Sequence, residues 1–358
     1  MVILRADQEG HRYEVRVGGG VARALGELGR GRDRVALVSC RAVLKTPFGR
    51  GVLAALARTA PGSPVLLLPD GERGKSLFEI ERAASRLLRA GGTRRSLLVG
   101  LGGGAVTDAA GFLAATFMRG VAWAAVPTTL LAMVDAALGG KTGVNLPFAK
   151  NAVGAFHPPV AVLSDPASLA SLPARELRSG LGEVAKYGAL CPPMLARVGR
   201  AARSGRVDPA LIAACARIKV EIVGRDPKER GERKLLNLGH TFGHGVEAAG
   251  GFSDYSHGEA VAVGLAFAFR LARALGRLEE GPVAEVEEVL LAAGLPTRVP
   301  KALARRAARL MGYDKKRTAD GLQWVLPRRL GARWRVEWDV RVDPRAVEET
   351  VSEIGREP

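Results

Sequence analysis

Cysteine is scarce in this chain, and its placement excludes two architectures. The 358 residues hold three, Cys40, Cys191 and Cys215, odd in number and far apart. With no Cys-x-x-Cys pair, neither a disulfide framework nor a thiolate zinc site is expected, and the thiols read as buried structural groups. Aromatic residues make up only 5%, too few for interleaved base-stacking platforms. Long apolar runs are missing as well: 121–126 and 260–269 fall well short of the ~20 residues of a membrane-spanning helix. The opening Met1-Val-Ile-Leu-Arg5-Ala-Asp7 lacks the apolar centre of a signal peptide. The expected compartment is the cytoplasm, and no membrane partner is expected.

Charge is plentiful and one-sided, at +17. A nucleic-acid footprint gathers basic residues on one face or stripe. Here they are scattered, as in Arg86, Arg89, Arg94, Arg95, Arg305, Arg306 and Arg309. The balance is read as compositional bias together with a phosphorylated small molecule, and no nucleic-acid partner is expected.

The length exceeds one ordinary core and suggests two domains. In the first half, short apolar runs at 34–39, 63–69, 96–101 and 122–126 alternate with helical patterns such as 76–90. Continuous apolar strands separated by helices predict a Rossmann-like parallel sheet covered on both faces. From Glu176 onward helical patterns dominate (209–223, 258–274, 283–293), and strand-like pieces return only at 322–326 and 334–338. The Pro-containing stretch 158–165 marks the expected boundary, giving an α/β domain at 1–160 and an all-α domain at 161–358.

Ser96-Leu-Leu-Val-Gly-Leu-Gly-Gly-Gly-Ala-Val-Thr-Asp108 is a strand running into a glycine cluster and a helix. Such loops let backbone N–H groups approach a pyrophosphate at a helix N-terminus. The spacing is not the full G-x-G-x-x-G, because Ala105 stands where the last glycine belongs, so the loop alone also fits a plain tight turn. Glu72, Lys75, Thr128 and Thr129 follow other strand ends, where open α/β sheets bind ligands. Arg119, Asp135, Lys141, Asn145, Lys150 and Asn151 put basic, acidic and amide groups into a glycine-rich stretch. Such groups suit phosphate and carboxylate recognition. Gly139-Gly-Lys-Thr142 is not a P-loop, because Asp135 takes the place of the required earlier glycine.

Three of the five histidines, His240, His244 and His257, fall in one short span followed by Glu259. His240 and His244 are four apart and share a helix face. A lone histidine is usually a satisfied core residue; three together point to a divalent metal. A catalytic site takes about three protein ligands and keeps a position open. The best outside carboxylate is Glu183, in Gly180-Leu-Gly-Glu-Val-Ala-Lys-Tyr187, for which a simple salt bridge to Lys186 is the plain alternative.

In this order, the pieces resemble the 3-dehydroquinate synthase family. The segments that carry the likeness are Pro69-Asp-Gly-Glu-Arg-Gly-Lys-Ser76, Leu101-Gly-Gly-Gly-Ala-Val-Thr-Asp-Ala-Ala-Gly-Phe112, Val126-Pro-Thr-Thr-Leu-Leu-Ala132, Gly139-Gly-Lys-Thr-Gly-Val-Asn145, Lys150-Asn-Ala-Val-Gly-Ala-Phe156, Leu236-Asn-Leu-Gly-His-Thr-Phe-Gly-His244 and His257-Gly-Glu-Ala-Val-Ala262. The resemblance implies a nucleotide-binding α/β domain and a helical domain, a fold shared with iron-type alcohol dehydrogenases. It implies a homodimer with NAD⁺ and one divalent metal, Zn²⁺ or Co²⁺. The implied reaction takes 3-deoxy-D-arabino-heptulosonate 7-phosphate to 3-dehydroquinate and phosphate, in the shikimate route to aromatic amino acids. Transient oxidation at C5 by NAD⁺, phosphate elimination, reduction and an intramolecular aldol closure make up its course.

Carried over residue by residue, the resemblance makes Glu183, His240 and His257 the metal ligands. His244, Lys141, Asn151, Arg119 (reaching across from a partner) and one of Lys315 and Lys316 contact the phosphate. Lys186, Lys219, Arg233 and Asn237 hold the substrate's hydroxyls and carboxylate, and Asp135 stands at the cofactor–substrate junction. Glu72, Lys75, Gly103, Gly104, Asp108, Thr128, Thr129, Lys141 and Lys150 match NAD contacts. Glu259 is thereby moved from ligand to a supporting role. The chain departs from the family pattern at Ser39-Cys40-Arg41, where an acid usually meets the adenosine ribose, at Gly182 and at Thr107. Rival readings are a cyclase for another sugar phosphate and a polyol dehydrogenase. His244, Arg233 and a lysine of Asp314-Lys315-Lys316 favour the dehydroquinate reaction over the first, and the phosphate-binding lysines, which a dehydrogenase does not need, favour it over the second.

Overall fold

The structure, a computed structural model, describes residues 1–147, 149–311, 317–318 and 321–356. Contacts divide the chain into two compact units. One holds Met1–Pro173 and Asp208–Pro227, the other Ala174–Val207 and Lys228–Pro358.

The first unit is built on strands β1 (Val2–Gln8), β2 (His11–Val17), β3 (Val35–Cys40), β4 (Val65–Leu68), β5 (Leu97–Gly102), β6 (Ala122–Pro127), β7 (Lys141–Leu146), β8 (Ala149–Phe156) and β9 (Ala161–Ser164). Seven form one sheet in the order β1-β2-β9-β6-β5-β3-β4, parallel except for the β1–β2 hairpin at its edge. Every residue of β3 and β5 is buried, as a strand covered on both faces requires. Leu37, Leu97 and Val99 lie in the core with no exposure, each worth roughly 1.5–3 kcal/mol of apolar burial. From β3 the chain steps out to β4 and returns to β5 on the other side. The strand order therefore reverses between β3 and β5, the kind of switch point at whose strand carboxyl ends open α/β sheets bind ligands. The glycine loop leaves β5 at that point.

The four apolar runs expected as strands are β3 to β6. The helical pattern at 76–90 is the helix Leu77–Arg89, whose Ser76 cap accepts from the Glu79 N–H. Two hairpins escaped sequence reading: β1–β2, and β7–β8, which pair outside the main sheet. The helix Pro209–Arg225 packs on β1 and on the turn Ala132–Ala136. It therefore belongs to the first unit, although the sequence division at 160 assigned it to the second. A helical pattern shows that a face is buried, not against which core.

The second unit is helical, with Ala174–Leu190, His240–Ala249 and His257–Ala274 at its centre. It is not free of strands: Trp324–Leu330 and Arg333–Val340 form a hairpin where the late strand-like pieces were read. Phe242 stacks on Phe267 at 4.2 Å between ring centres, and Phe267 on Trp324 at 5.5 Å. Trp334 Nε1 donates to the Ala189 carbonyl at 2.8 Å, so the hairpin is tied to the helix carrying Glu183. No helix among the described residues is long and apolar enough to cross a membrane.

Candidate active site

In the second unit, two glycines decide where Glu183 goes. A Cβ on Gly258 would stand 1.8 Å from the Ser179 carbonyl oxygen, and one on Gly182 2.4 Å from that of Gly258. The helices Ala174–Leu190 and His257–Ala274 thus meet backbone to backbone, closer than side chains allow. Glu183 follows one contact point and His257 precedes the other. The second helix starts on a capping box. Ser256 accepts from the Glu259 N–H, and Glu259 returns a bond to the Ser256 N–H at 2.7 Å. Arg175 holds the same carboxylate at 2.9 Å. Glu259 is therefore committed to the helix start, and the metal-sized group found among the described residues does not include it.

Glu183, His240 and His257 each offer one ligand atom, all within 4.8 Å of one another. Glu183 Oε1 lies 3.4 Å from His240 Nε2 and 3.1 Å from His257 Nε2, and Lys186 pairs with Oε2 of the same carboxylate. Burial pushes the Glu183 carboxyl up, but Lys186 and the two imidazoles outweigh it and hold the group well below the usual range. Burial likewise drives His240 down to about 4, against the pull of Glu183. For His257 burial is outweighed by hydrogen bonds to Glu183 and Glu247, which hold it up at about 10.

The lowered Glu183 and His240 fit a metal cradle, whereas His257 would give up a proton to a metal. His240 Nδ1 lies 3.1 Å from the Leu238 carbonyl, and a carbonyl only accepts, so the proton of the neutral ring sits on Nδ1. Nε2 then turns a bare lone pair toward a carboxylate oxygen, an arrangement that a shared cation stabilises. One carboxylate and two imidazoles are a donor set suited to zinc and its neighbours, with a position left for another ligand.

Around the cradle, the His244 ring lies edge-on to His240 at 5.4 Å. Lys186 and Arg233 are almost fully buried, at 1% and 2% exposure. Long cations are seldom buried without a partner anion. Asn237 Nδ2 donates to Glu229 Oε1 at 2.5 Å. Glu229, at φ 59, was not singled out from the sequence. Its left-handed backbone costs about 1–3 kcal/mol and persists only where surroundings enforce it, a signal invisible in one-dimensional data.

The first unit gathers a second polar cluster. Lys75 Nζ donates to Asp108 Oδ2 at 2.7 Å and to Asn151 Oδ1 at 2.5 Å. Asn145 Nδ2 donates to Glu72 Oε2 at 2.6 Å, and Asn145 Oδ1 accepts from the Asn151 N–H at 2.9 Å. Asn145, which received no role in the sequence reading, thus links four residues that did. Burial pushes the Asp108 carboxyl above its usual range, against the pull of Lys75. Gly103 and Gly104 open the helix Gly104–Thr116, and a Cβ on Gly103 would press on Thr129 Cγ2 at 3.0 Å. The Thr128 N–H bonds the Gly102 carbonyl at 2.9 Å. Beside Cys40, Asp70 Oδ1 accepts from the Ala42 N–H at 3.0 Å, so a carboxylate does stand near the end of β3.

Asp135 lies in the π-helical turn Ala132–Ala136, a geometry that recurs at functional sites. Lys219 Nζ bonds its carboxylate at 3.0 Å and its carbonyl at 2.7 Å. Lys141 starts β7 with its side chain exposed, and Lys150 lies half-buried in β8. Arg119 is exposed at φ 66, beside Met118 at φ 50. Lys315 and Lys316 lie outside the described residues.

Family models for the 3-dehydroquinate synthase N-terminal and C-terminal regions match residues 65–179 and 180–317. The chain belongs to the 3-dehydroquinate synthase family. A curated 3-dehydroquinate synthase of Xylella fastidiosa (strain 9a5c) is 49% identical over 279 residues, covering 75% of this chain and 71% of that one. That of Xanthomonas axonopodis pv. citri is 44% identical over 338 residues, covering 90% and 89%. Among solved structures, the 2-epi-5-epi-valiolone synthase of Streptomyces hygroscopicus subsp. jinggangensis, with NAD⁺ and Zn²⁺ bound, is similar at 26% identity. Its TM-score is 0.80, with 96% of each chain covered. The family expected from the motifs is thus the family found, and the expected fold is present.

Proposed function

We propose that this chain converts 3-deoxy-D-arabino-heptulosonate 7-phosphate into 3-dehydroquinate and phosphate, with NAD⁺ and one divalent metal, Zn²⁺ or Co²⁺. The observation that carries the reading is the buried Glu183–His240–His257 cradle with Lys186 and Arg233 in the same unit, in a chain 44–49% identical to 3-dehydroquinate synthases.

Glu183 and the Nε2 atoms of His240 and His257 would hold the metal, which as a Lewis acid polarises the alcohol to be oxidised. Bound NAD⁺ would supply a reversible hydride acceptor, so no net NADH is expected. Glu72, Lys75, Gly103, Gly104, Asp108, Thr128, Thr129, Lys141 and Lys150 are assigned to the dinucleotide. Lys75 would meet its negative charge, and the helix Gly104–Thr116 would offer free N–H groups at its start. Lys186, Lys219, Arg233 and Asn237 are assigned to the substrate's hydroxyls and carboxylate. His244, Asn151, Lys141, Arg119 and the pair Lys315/Lys316 are assigned to its phosphate, and Asp135 to the junction of substrate and cofactor. Glu229 joins them as a carboxylate fixed on Asn237. The active form is proposed to be a cytoplasmic homodimer.

The test supplies the heptulosonate phosphate, catalytic NAD⁺ and Zn²⁺ or Co²⁺ and measures inorganic phosphate. Stoichiometric release without net NADH is expected. Net NADH from a simple polyol, with no phosphate released from the sugar phosphate, would overturn the reading in favour of a dehydrogenase.

A further inference from the structure

His257 is held from both sides by carboxylates. Its Nε2 faces Glu183 Oε1 at 3.1 Å, and its Nδ1 lies 3.3 Å from Glu247 Oε2. Glu247 is buried, with 8% exposure, and sits on the same helix as His240 and His244, seven residues beyond the first. At 3.6 residues per turn, positions 240, 244 and 247 line one face. The one-dimensional signal is thus His-x-x-x-His-x-x-Glu. The two imidazoles are held differently. His240 Nδ1 meets a neutral carbonyl, that of Leu238, whereas His257 Nδ1 meets a charged carboxylate.

The geometry points to Glu247 as a positioning residue for the metal, acting through His257. Its carboxylate accepts the Nδ1–H and locks the ring's rotation, so that a metal arriving on the Glu183 side would displace the Nε2 proton and meet that lone pair. A carboxylate also pushes electron density onto the ring, making His257 the stronger nitrogen donor. The carbonyl on His240 fixes a tautomer without supplying charge. Glu247 adds a negative charge that would offset the cation, while Lys186 offsets that of Glu183. This inference rests on the proposed metal site.

The experiment strips the full-length protein of metal and titrates Zn²⁺ against a chromophoric chelator, for wild type, Glu247→Gln, Glu247→Asp and Glu247→Ala. Removing such a partner weakens metal affinity by roughly 10–100-fold. Glu247→Ala is expected in that range. Glu247→Gln, which keeps an acceptor but no charge, is expected between it and wild type. Glu247→Asp, rescued in charge but shorter, is expected closer to wild type than Glu247→Ala. The Co²⁺ d–d spectrum should shift in Glu247→Gln, which a merely structural role would not produce. NAD⁺ affinity of Glu247→Gln should stay at the wild-type value. Wild-type metal affinity and an unchanged Co²⁺ spectrum in both Glu247→Ala and Glu247→Gln would overturn the inference and leave the metal site standing. A wild-type protein that binds neither ion would overturn both. If Glu247→Ala does not fold, the isosteric Glu247→Gln decides by the same two readouts.

Discussion

At the scale of single residues, the candidate site is a matter of which lone pairs face which charges. His257→Ala should remove one of three ligands, abolishing turnover and Zn²⁺ retention while leaving the circular dichroism spectrum unchanged. Wild-type-like turnover would refute the ligand assignment. In the first unit, Lys75 is buried against Asp108 at 2.7 Å. Breaking a buried pair from one side costs about 3–5 kcal/mol, because a charge is left uncompensated. Lys75→Met should therefore destabilise the protein in urea by that order, and adding Asp108→Asn should recover part of the loss. Additive losses in the double variant would mean the pair is not coupled. Residue types and spacing made the histidine-rich span legible as a metal site with Glu183 as a candidate ligand, and the choice of Glu183, His240 and His257 over His244 and Glu259 came from the family resemblance. The roles of Glu229, Asn145 and Glu247 were not legible. They depend on partners eight, 73 and ten residues away, and only a folded backbone says which of many polar residues meet.

At the scale of elements, the crossing of Ala174–Leu190 and His257–Ala274 sets the metal cradle. Gly258→Ala would drive a methyl into the Ser179 carbonyl at 1.8 Å. It should cost more than about 3 kcal/mol, in the upper range for single substitutions, and lower Zn²⁺ affinity along with melting temperature. A variant as stable as wild type would show that the helices need not touch. The capping box gives a pH-dependent prediction. Burial raises the Glu259 carboxyl, but Arg175 and the Ser256 N–H outweigh it, so its folded value lies below the ordinary 4.5. A lowered value means the charged form stabilises the fold above that ordinary value, and the benefit fades as pH falls through the folded one. Wild type should exceed Glu259→Gln by about 1 kcal/mol at pH 7, as caps generally do. Urea curves at falling pH should show the gap closing below 4.5. A gap that persists undiminished at the acid end would sink the assignment. The strands β3 to β6 were readable because strands buried on both faces are apolar throughout. The β1–β2 and β7–β8 hairpins were not. Their exposed faces carry mixed residues, and β1–β2 is joined by the tight Glu9–Gly10 turn at φ 51 and 85, with no long apolar run to mark it.

At the scale of the whole molecule, the +17 charge surrounds a proposed substrate that carries both phosphate and carboxylate. A field of that sign should speed the arrival of such an anion, and salt should weaken it as the Debye length contracts to about 10 Å at 0.1 M. Raising NaCl from low to physiological strength should increase KM for the sugar phosphate several-fold, on the order of the steering effects seen for charged ligands, with kcat little changed. A KM indifferent to salt would assign the excess charge to composition alone. The amino-acid sequence by itself determined the family, the alternation of strand and helix, and the histidine-rich span, because each is written in local order: periodicity, glycine placement and residue spacing. Only the tertiary structure decided that Pro209–Arg225 joins the core of the first unit. It alone decided that Gly182 and Gly258 bring Glu183 to His257, and that Glu247 rather than Glu259 lies against the His257 ring. Those outcomes depend on the meeting of backbone surfaces distant in the chain, where steric fit and the direction of a lone pair select among residues that spacing leaves equivalent.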